Sequence, residues 1–368
     1  MQKNRSRKLS APVALLITLV VCVLAFFCAW LWKQSAGSGG VGGARKVGVT
    51  TVQSVDTLRE GLVYYNGTTL GYVTPGGKIK WTYMAGTDVR FQATEYGVAM
   101  WRGKTLTLID ISDGTIYYSV TQADDVLSAR VGPQYVAVVY GESQNSKVML
   151  LDSGGGFVKT LSFDSQLILN YGFYSSGSYF WVLSLETDGT VASTTVSTYK
   201  PSSQLISGSI TDGTQLTYDC RFFSDRIVCV GDYYQKTYDY TGTETQDKRQ
   251  LVYGWYLEDY DRFSDTPLMA YVPNAAYGGS EKIQDVLLMT ASGKQYLRFQ
   301  FPCDAVRVYG GKAYGFSGDY GCIMVATPGQ QTIQAYAVGV AFDEEYGVVG
   351  ENKAVVSSGG ELFLVNLP

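Results

Sequence analysis

Not one of the 368 residues is a histidine. That absence removes Ser–His and Cys–His nucleophile pairs, imidazole proton relays and histidine-ligated zinc or iron. A 3.6-residue apolar period is missing after residue 43, which argues against ankyrin, TPR and HEAT arrays. No catalytic motif stands out, and the six cysteines include no adjacent pair. Chemistry built on carboxylate, lysine or tyrosine stays open. Glycine and tyrosine are abundant, at 42 and 29 residues. With Val and Thr between Gly-rich turns, they point to many short strands.

Acid is also missing from the first 32 residues, where Lys3, Arg5, Arg7 and Lys8 precede the uncharged run APVALLITLVVCVLAFFCAWLW. As a helix rising about 1.5 Å per residue, residues 11–32 would span roughly 33 Å, enough to cross a bilayer's hydrocarbon core. Trp30 and Trp32 would sit at the far interface. The apolar run exceeds the ~7–15 residues of a cleaved signal peptide, although the small residues of QSAG at 34–37 leave cleavage open. The expected layout is a cytoplasmic basic tail (1–10), a single-pass signal anchor (11–32), a Gly/Ser-rich tether (33–44) and an extracellular domain (45–368). The basic flank is expected to stay on the cytoplasmic side of the cell membrane. All 33 acids follow residue 32, against 25 of the 29 bases (29 − 4), so that part carries about −8. An acidic ectodomain argues against nucleic acid as a partner.

The stretch LTLIDISDGTIYYSV (106–120) recurs in altered form at 70–83, 148–161, 286–299 and 323–337. Each copy is an apolar strand, an Asp or Thr, a turn with Gly, and a second alternating strand. The turns fall near Gly77, Gly114, Gly155, Pro201, Gly242, Gly293 and Gly329, a spacing that suits a four-stranded blade. A further hairpin precedes each turn, as at Asn66-Gly67. Units starting near 54, 87, 124, 165, 214, 257, 303 and 339 predict an all-β, eight-bladed β-propeller. Seven blades is the alternative, because units 4 to 6 are irregular. The last unit lacks a fourth strand, and RKVGVTTVQ (45–53) is expected to supply it and close the ring.

The stretch 106–120 resembles the PQQ-like propeller repeat, a relative of the WD40-like repeat. Ile109 and Asp110 match, Asp113-Gly114 stands for Thr-Gly, and Tyr118 takes the tryptophan's place; Thr74, Gly77 and Trp81 match in residues 70–81. The anchored layout also resembles DUF5711, an uncharacterised propeller family of Gram-positive bacteria whose resemblance implies no known activity. Quinone-binding propellers need a stacking Trp and often adjacent cysteines, so no cofactor is expected. The Asp-x-x-Gly turns read as hairpin chemistry rather than metal sites.

Four features remain as candidate site residues. A two-residue turn at Ser224-Asp225 would set Cys220 directly opposite Cys229, where a cross-strand disulfide is feasible in an oxidising exterior; two buried thiols are the alternative. Cys303 and Cys322 share the seventh unit and are a second candidate pair. Trp255, Tyr256, Tyr260 and Tyr277 form a candidate binding surface for sugars or a protein, with packing between blades as the alternative. The acidic groups Asp124-Asp125, Glu258-Asp259-Asp261 and Asp343-Glu344-Glu345 would serve glycoside hydrolysis only if two converge. The expected function is a non-catalytic scaffold at the cell envelope, binding a protein or cell-wall glycan. A carboxylate-based envelope hydrolase or lyase is the alternative.

Overall fold

A computed structural model describes residues 43–368, apart from 187, 189–191, 204–205, 266–267 and 278–279. The expected anchor lies outside the described residues; among them, no helix is long and apolar enough to cross a membrane. The described strands form eight sets of four, all paired antiparallel and seven of them in chain order. The third and fourth sets merge into one sheet through a single parallel bridge, Asn145 to Gln166. We number the sets blades 1 to 8. Their first strands are Ser54–Leu58, Arg90–Thr94, Val126–Val131, Gln166–Tyr174, Thr217–Phe222, Trp255–Tyr260, Ala305–Tyr309 and Glu344–Val349. These first strands lie against one another around the axis. The fourth strands face outward and alternate between buried and exposed residues, as Ile79–Met84 does.

Eight apolar clusters hold the ring, each straddling two successive blades. The cluster closing blade 8 onto blade 1 packs Val47, Val49, Leu362 and Leu364 against Leu62 and Tyr64, all nearly or fully buried. Val47 and Val49 belong to Ala44–Thr50, which pairs antiparallel with Glu361–Asn366 as the fourth strand of blade 8. The first described strand therefore completes the last sheet, and no blade is left with an unpaired closing edge.

The repeated turn works as a spacer between blades. Asp110, Asp152 and Asp239 each accept, through Oδ1, the amide of the residue two further on, while their carbonyls accept the amides of Gly114, Gly155 and Gly242. Gly114 sits at φ +79°, and a Cβ there would lie 2.7 Å from the Trp81 ring of blade 1. Trp81 also donates its indole N–H to the Ile111 carbonyl at 2.9 Å. Tyr118 of blade 2 covers Gly155 of blade 3 in the same way. The repeat's aromatic thus docks on the next repeat's glycine, which must be left-handed and bare. At the seam Arg45 takes this place over Gly77.

Unit starts agree with the sequence to within a few residues. One detail of the hairpins differs. Asn66 flanks its turn instead of occupying it, accepting the amides of Thr68 and Thr69 through Oδ1.

Candidate functional site

The first strands carry polar residues toward the axis, and these bond from blade to blade. Asp56 accepts the Ala93 amide at 2.7 Å, and Asp259 accepts the Val308 amide at 2.9 Å. Asn170 donates to Asp219 at 2.9 Å, and Tyr171 donates its hydroxyl to Ser128 at 2.8 Å. Five of these strands carry a bulge, between Val126 and Ser128, Ile168 and Asn170, Thr217 and Asp219, Leu257 and Asp259, and Glu345 and Gly347. A bulge adds a residue and re-aims its neighbours, which brings these polar side chains into the belt.

Two of the three acidic groups do converge here. Arg307 of blade 7 reaches Glu258 of blade 6 at 3.4 Å and Glu345 of blade 8 at 2.8 Å. Burial pushes the Glu345 carboxyl up to about 7, against the lowering effect of Arg307. Its side chain is 0% exposed, and neither oxygen accepts a well-aligned hydrogen bond despite the short ion-pair distance. Burial also raises Glu258 and Asp259. The guanidinium stands between the carboxylates, so the group clips three blades together and leaves no gap for a glycosidic bond between two acids. Asp124 and Asp125 are exposed, and Asp343 caps the Gly359 amide at 2.6 Å.

The turns leaving the first strands gather on one face of the ring and surround an axial funnel of about 680 Å³. Its wall includes Arg59, Arg130, Arg221 and Arg262, from blades 1, 3, 5 and 6. Residues 261–265 of blade 6 reach across the axis toward blade 1. Arg59 donates to the Phe263 carbonyl at 2.7 Å and lies over the Phe263 ring at 5.6 Å. Asp261 accepts the Gly311 amide of blade 7 at 3.2 Å, and Asp265 accepts the Ser224 amide of blade 5 at 2.8 Å. A second cavity of about 730 Å³ lies on the other side of this crossing and shares Arg59, Asp261, Phe263 and Ser264 with the funnel.

The four arginines are held differently. Arg130 donates to Gln92 at 3.2 Å and to the Tyr171 carbonyl. Arg221 pairs with Asp219 and lies 3.8 Å over the Tyr260 ring, while its buried Nε has no acceptor. Arg262 is exposed and has no carboxylate within ion-pairing distance among the described residues. Burial raises both Asp56 and Asp259, and the charge of Arg262 lowers both. Arg262 therefore acts on carboxylates from blades 1 and 6 at once, from a position near the axis.

The expected binding surface is divided. Tyr260 lines the funnel. Tyr256, at the opposite end of the same strand, is exposed and stacks on Tyr218 at 5.1 Å. Trp255 faces the other way, with Tyr296 at 5.8 Å. Tyr277 ends a short 3-10 turn at Ala275–Tyr277, and its side chain lies outside the described part. The expected hairpin register is found: Cys220 stands opposite Cys229 with sulfurs 2.9 Å apart, as two buried thiols. Cys303 and Cys322 do not share a blade. Cys303 ends the last strand of blade 6, Gly293–Cys303, and Cys322 opens the third strand of blade 7. Both are buried thiols, and burial pushes Cys303 up to about 12. Sequence reasoning missed the funnel arginines. The signal was present, since each lies five to seven residues into its unit. No group of residues suited to a metal occurs among the described residues.

No family model matches the chain, so nothing ties it to DUF5711, and no curated protein matches it in sequence. Solved structures share its fold. BamB from Moraxella catarrhalis is 12% identical, with a TM-score of 0.58 over 88% of this chain and 98% of that one. The C-terminal WD40 domain of Sif2 is 11% identical, with a TM-score of 0.58 over 90% and 100%. The WD40 domain of SCAP from fission yeast is 10% identical, with a TM-score of 0.57 over 88% and 97%. At these identities the likeness establishes the β-propeller fold, shared with WD40 domains and with BamB.

Proposed function

We propose that the chain is a non-catalytic docking scaffold of the cell envelope, an eight-bladed propeller held at the membrane by residues 11–32 and binding a partner protein in the axial funnel. The observation that carries this reading is the funnel itself. Six blades contribute side chains to one concave face, where arginines lie beside Tyr260, Phe222 and Trp181. Arginine and large aromatics are the residues that concentrate binding energy at protein interfaces. The converging carboxylates face Arg307 and belong to the contacts between blades. The anchor and the extracellular placement rest on the sequence, through the 22-residue uncharged run and its basic flank.

Crosslinking on intact cells, followed by identification of captured proteins, tests this reading. Funnel positions such as Tyr96 carrying the crosslinker are expected to capture a specific protein, and outward positions such as Tyr117 are not. Capture of lipid and wall fragments alone from both positions overturns it.

A further inference from the structure

Arginines gather at the funnel of a domain whose overall charge is negative. The part of the chain after residue 32 carries about −8 (25 bases against 33 acids), yet the wall presents four guanidiniums against the carboxylates of Asp261 and Asp265. Both of those carboxylates already accept backbone amides, from Gly311 and Ser224. Arg221 is already paired with Asp219 and its Nε is buried, whereas Arg262 is exposed and, among the described residues, forms no ion pair with a carboxylate. Low-dielectric walls of one sign concentrate the opposite charge, and guanidinium forks match carboxylates in two-point geometry.

We propose that the funnel binds an acidic peptide segment of the partner protein, its carboxylates pairing with Arg262 at the mouth while Arg59, Arg130 and Arg221 make the wall positive. The arginines come from four blades and are set around an axis. Carboxylates on flexible Asp or Glu side chains reach groups arranged in this way, whereas the stiff backbone of an acidic polysaccharide addresses a line. Tyr260, already covered by Arg221 at 3.8 Å, and Phe263, beside Arg59, give apolar ledges for the peptide's methylenes. This inference rests on the scaffold reading and adds the chemistry of the partner.

The test uses the full chain in neutral detergent and a fluorescein-labelled hexaglutamate peptide, read by anisotropy at low salt. Arg262→Gln is expected to weaken binding about tenfold, the loss of a charge-assisted hydrogen bond. Arg102→Gln, at an exposed arginine outside the funnel, is expected to leave binding unchanged. Hexalysine should fail to displace the probe, and polygalacturonate should displace it poorly. Absence of hexaglutamate binding, insensitivity to Arg262→Gln, or stronger displacement by polygalacturonate overturns the proposal. Crosslinking of the Arg262→Gln chain on cells separates the two readings. Undiminished capture of a protein at the funnel keeps the scaffold and removes the acidic-peptide inference, whereas no capture by either chain removes both.

Discussion

Among single residues, Glu345 is the least comfortable in the ring. Its side chain is wholly buried, and Arg307 is its ion-pair partner among the described residues. Burial raises its carboxyl to about 7, from an ordinary value of 4.5. Between those two values the folded chain holds a proton at this carboxyl that the unfolded chain has lost. Below the ordinary value the carboxyl is protonated in both states and has no effect. As pH climbs toward 7 the unfolded chain ionises first, so stability falls; above 7 the loss is complete. The difference corresponds to on the order of 3 kcal/mol. Glu258 and Asp259 are also raised, and Arg307 faces all three, so the comparison must isolate position 345. Denaturant unfolding of Glu345→Gln and the parent chain should give equal stabilities near pH 4, below the carboxyl's ordinary value. By pH 8 the variant should be the more stable. A variant that is weaker at pH 8 would mean that the ion pair with Arg307 outweighs the burial of its charge.

At the scale of the element, the hairpin Thr217–Phe222 and Ile227–Gly231 is the clearest case of sequence legibility. Two turn residues fixed the register, and Cys220 stands opposite Cys229 as counting back from Ser224-Asp225 requires. Oxidised glutathione can take the two hydrogens, leaving a disulfide and two reduced glutathiones. Both thiols are buried, and burial raises Cys220 well above a free thiol, so the closed hairpin should react slowly. Refolding from denaturant in a glutathione redox buffer should form the bridge, read as the loss of two hydrogens by mass and as about 2 kcal/mol of added stability. Refolded chain that keeps both thiols in that buffer would rule the bridge out. Turns and strands were legible because glycine, Asx chemistry and alternation are local signals. Cys303 was assigned to the seventh unit, whereas the boundary falls just after it, at the end of an eleven-residue strand, and its thiol, raised first by burial, remains close enough to Cys322 to be raised by it too. Trp255 and Tyr256 were grouped with Tyr260, yet neighbouring strand residues point to opposite faces and a bulge near Glu258 shifts the phase. The arginines escaped notice for a different reason. Their meeting depends on ring closure, and no local pattern in the chain states which blades face one another.

Seen as a whole molecule, the propeller is a ring whose covalent break falls inside one sheet. In seven of the blades the fourth strand follows the third, while in blade 8 it comes from Ala44–Thr50. If closure rests on hydrogen bonds and apolar contact alone, the location of the break is arbitrary. Ala44 pairs with Val365, so the start of the closing strand lies beside the end of its neighbour. Moving residues 43–50 behind Pro368 through a short Gly-containing turn would therefore make blade 8 an ordinary meander. The permuted chain, beginning at Thr51, buries the same Val47 and Val49 against Leu62 and Leu364. Its melting temperature should match that of the unpermuted domain within a few degrees. It should also refold faster, because the longest-range strand pairing in the molecule has become local. Deleting residues 43–50 outright should instead expose the edge of Glu361–Asn366 and produce self-association, measurable by sedimentation. A permuted chain that fails to fold, while the parent domain does, would show that closing strand and tether act as one unit, and that the seam serves more than closure.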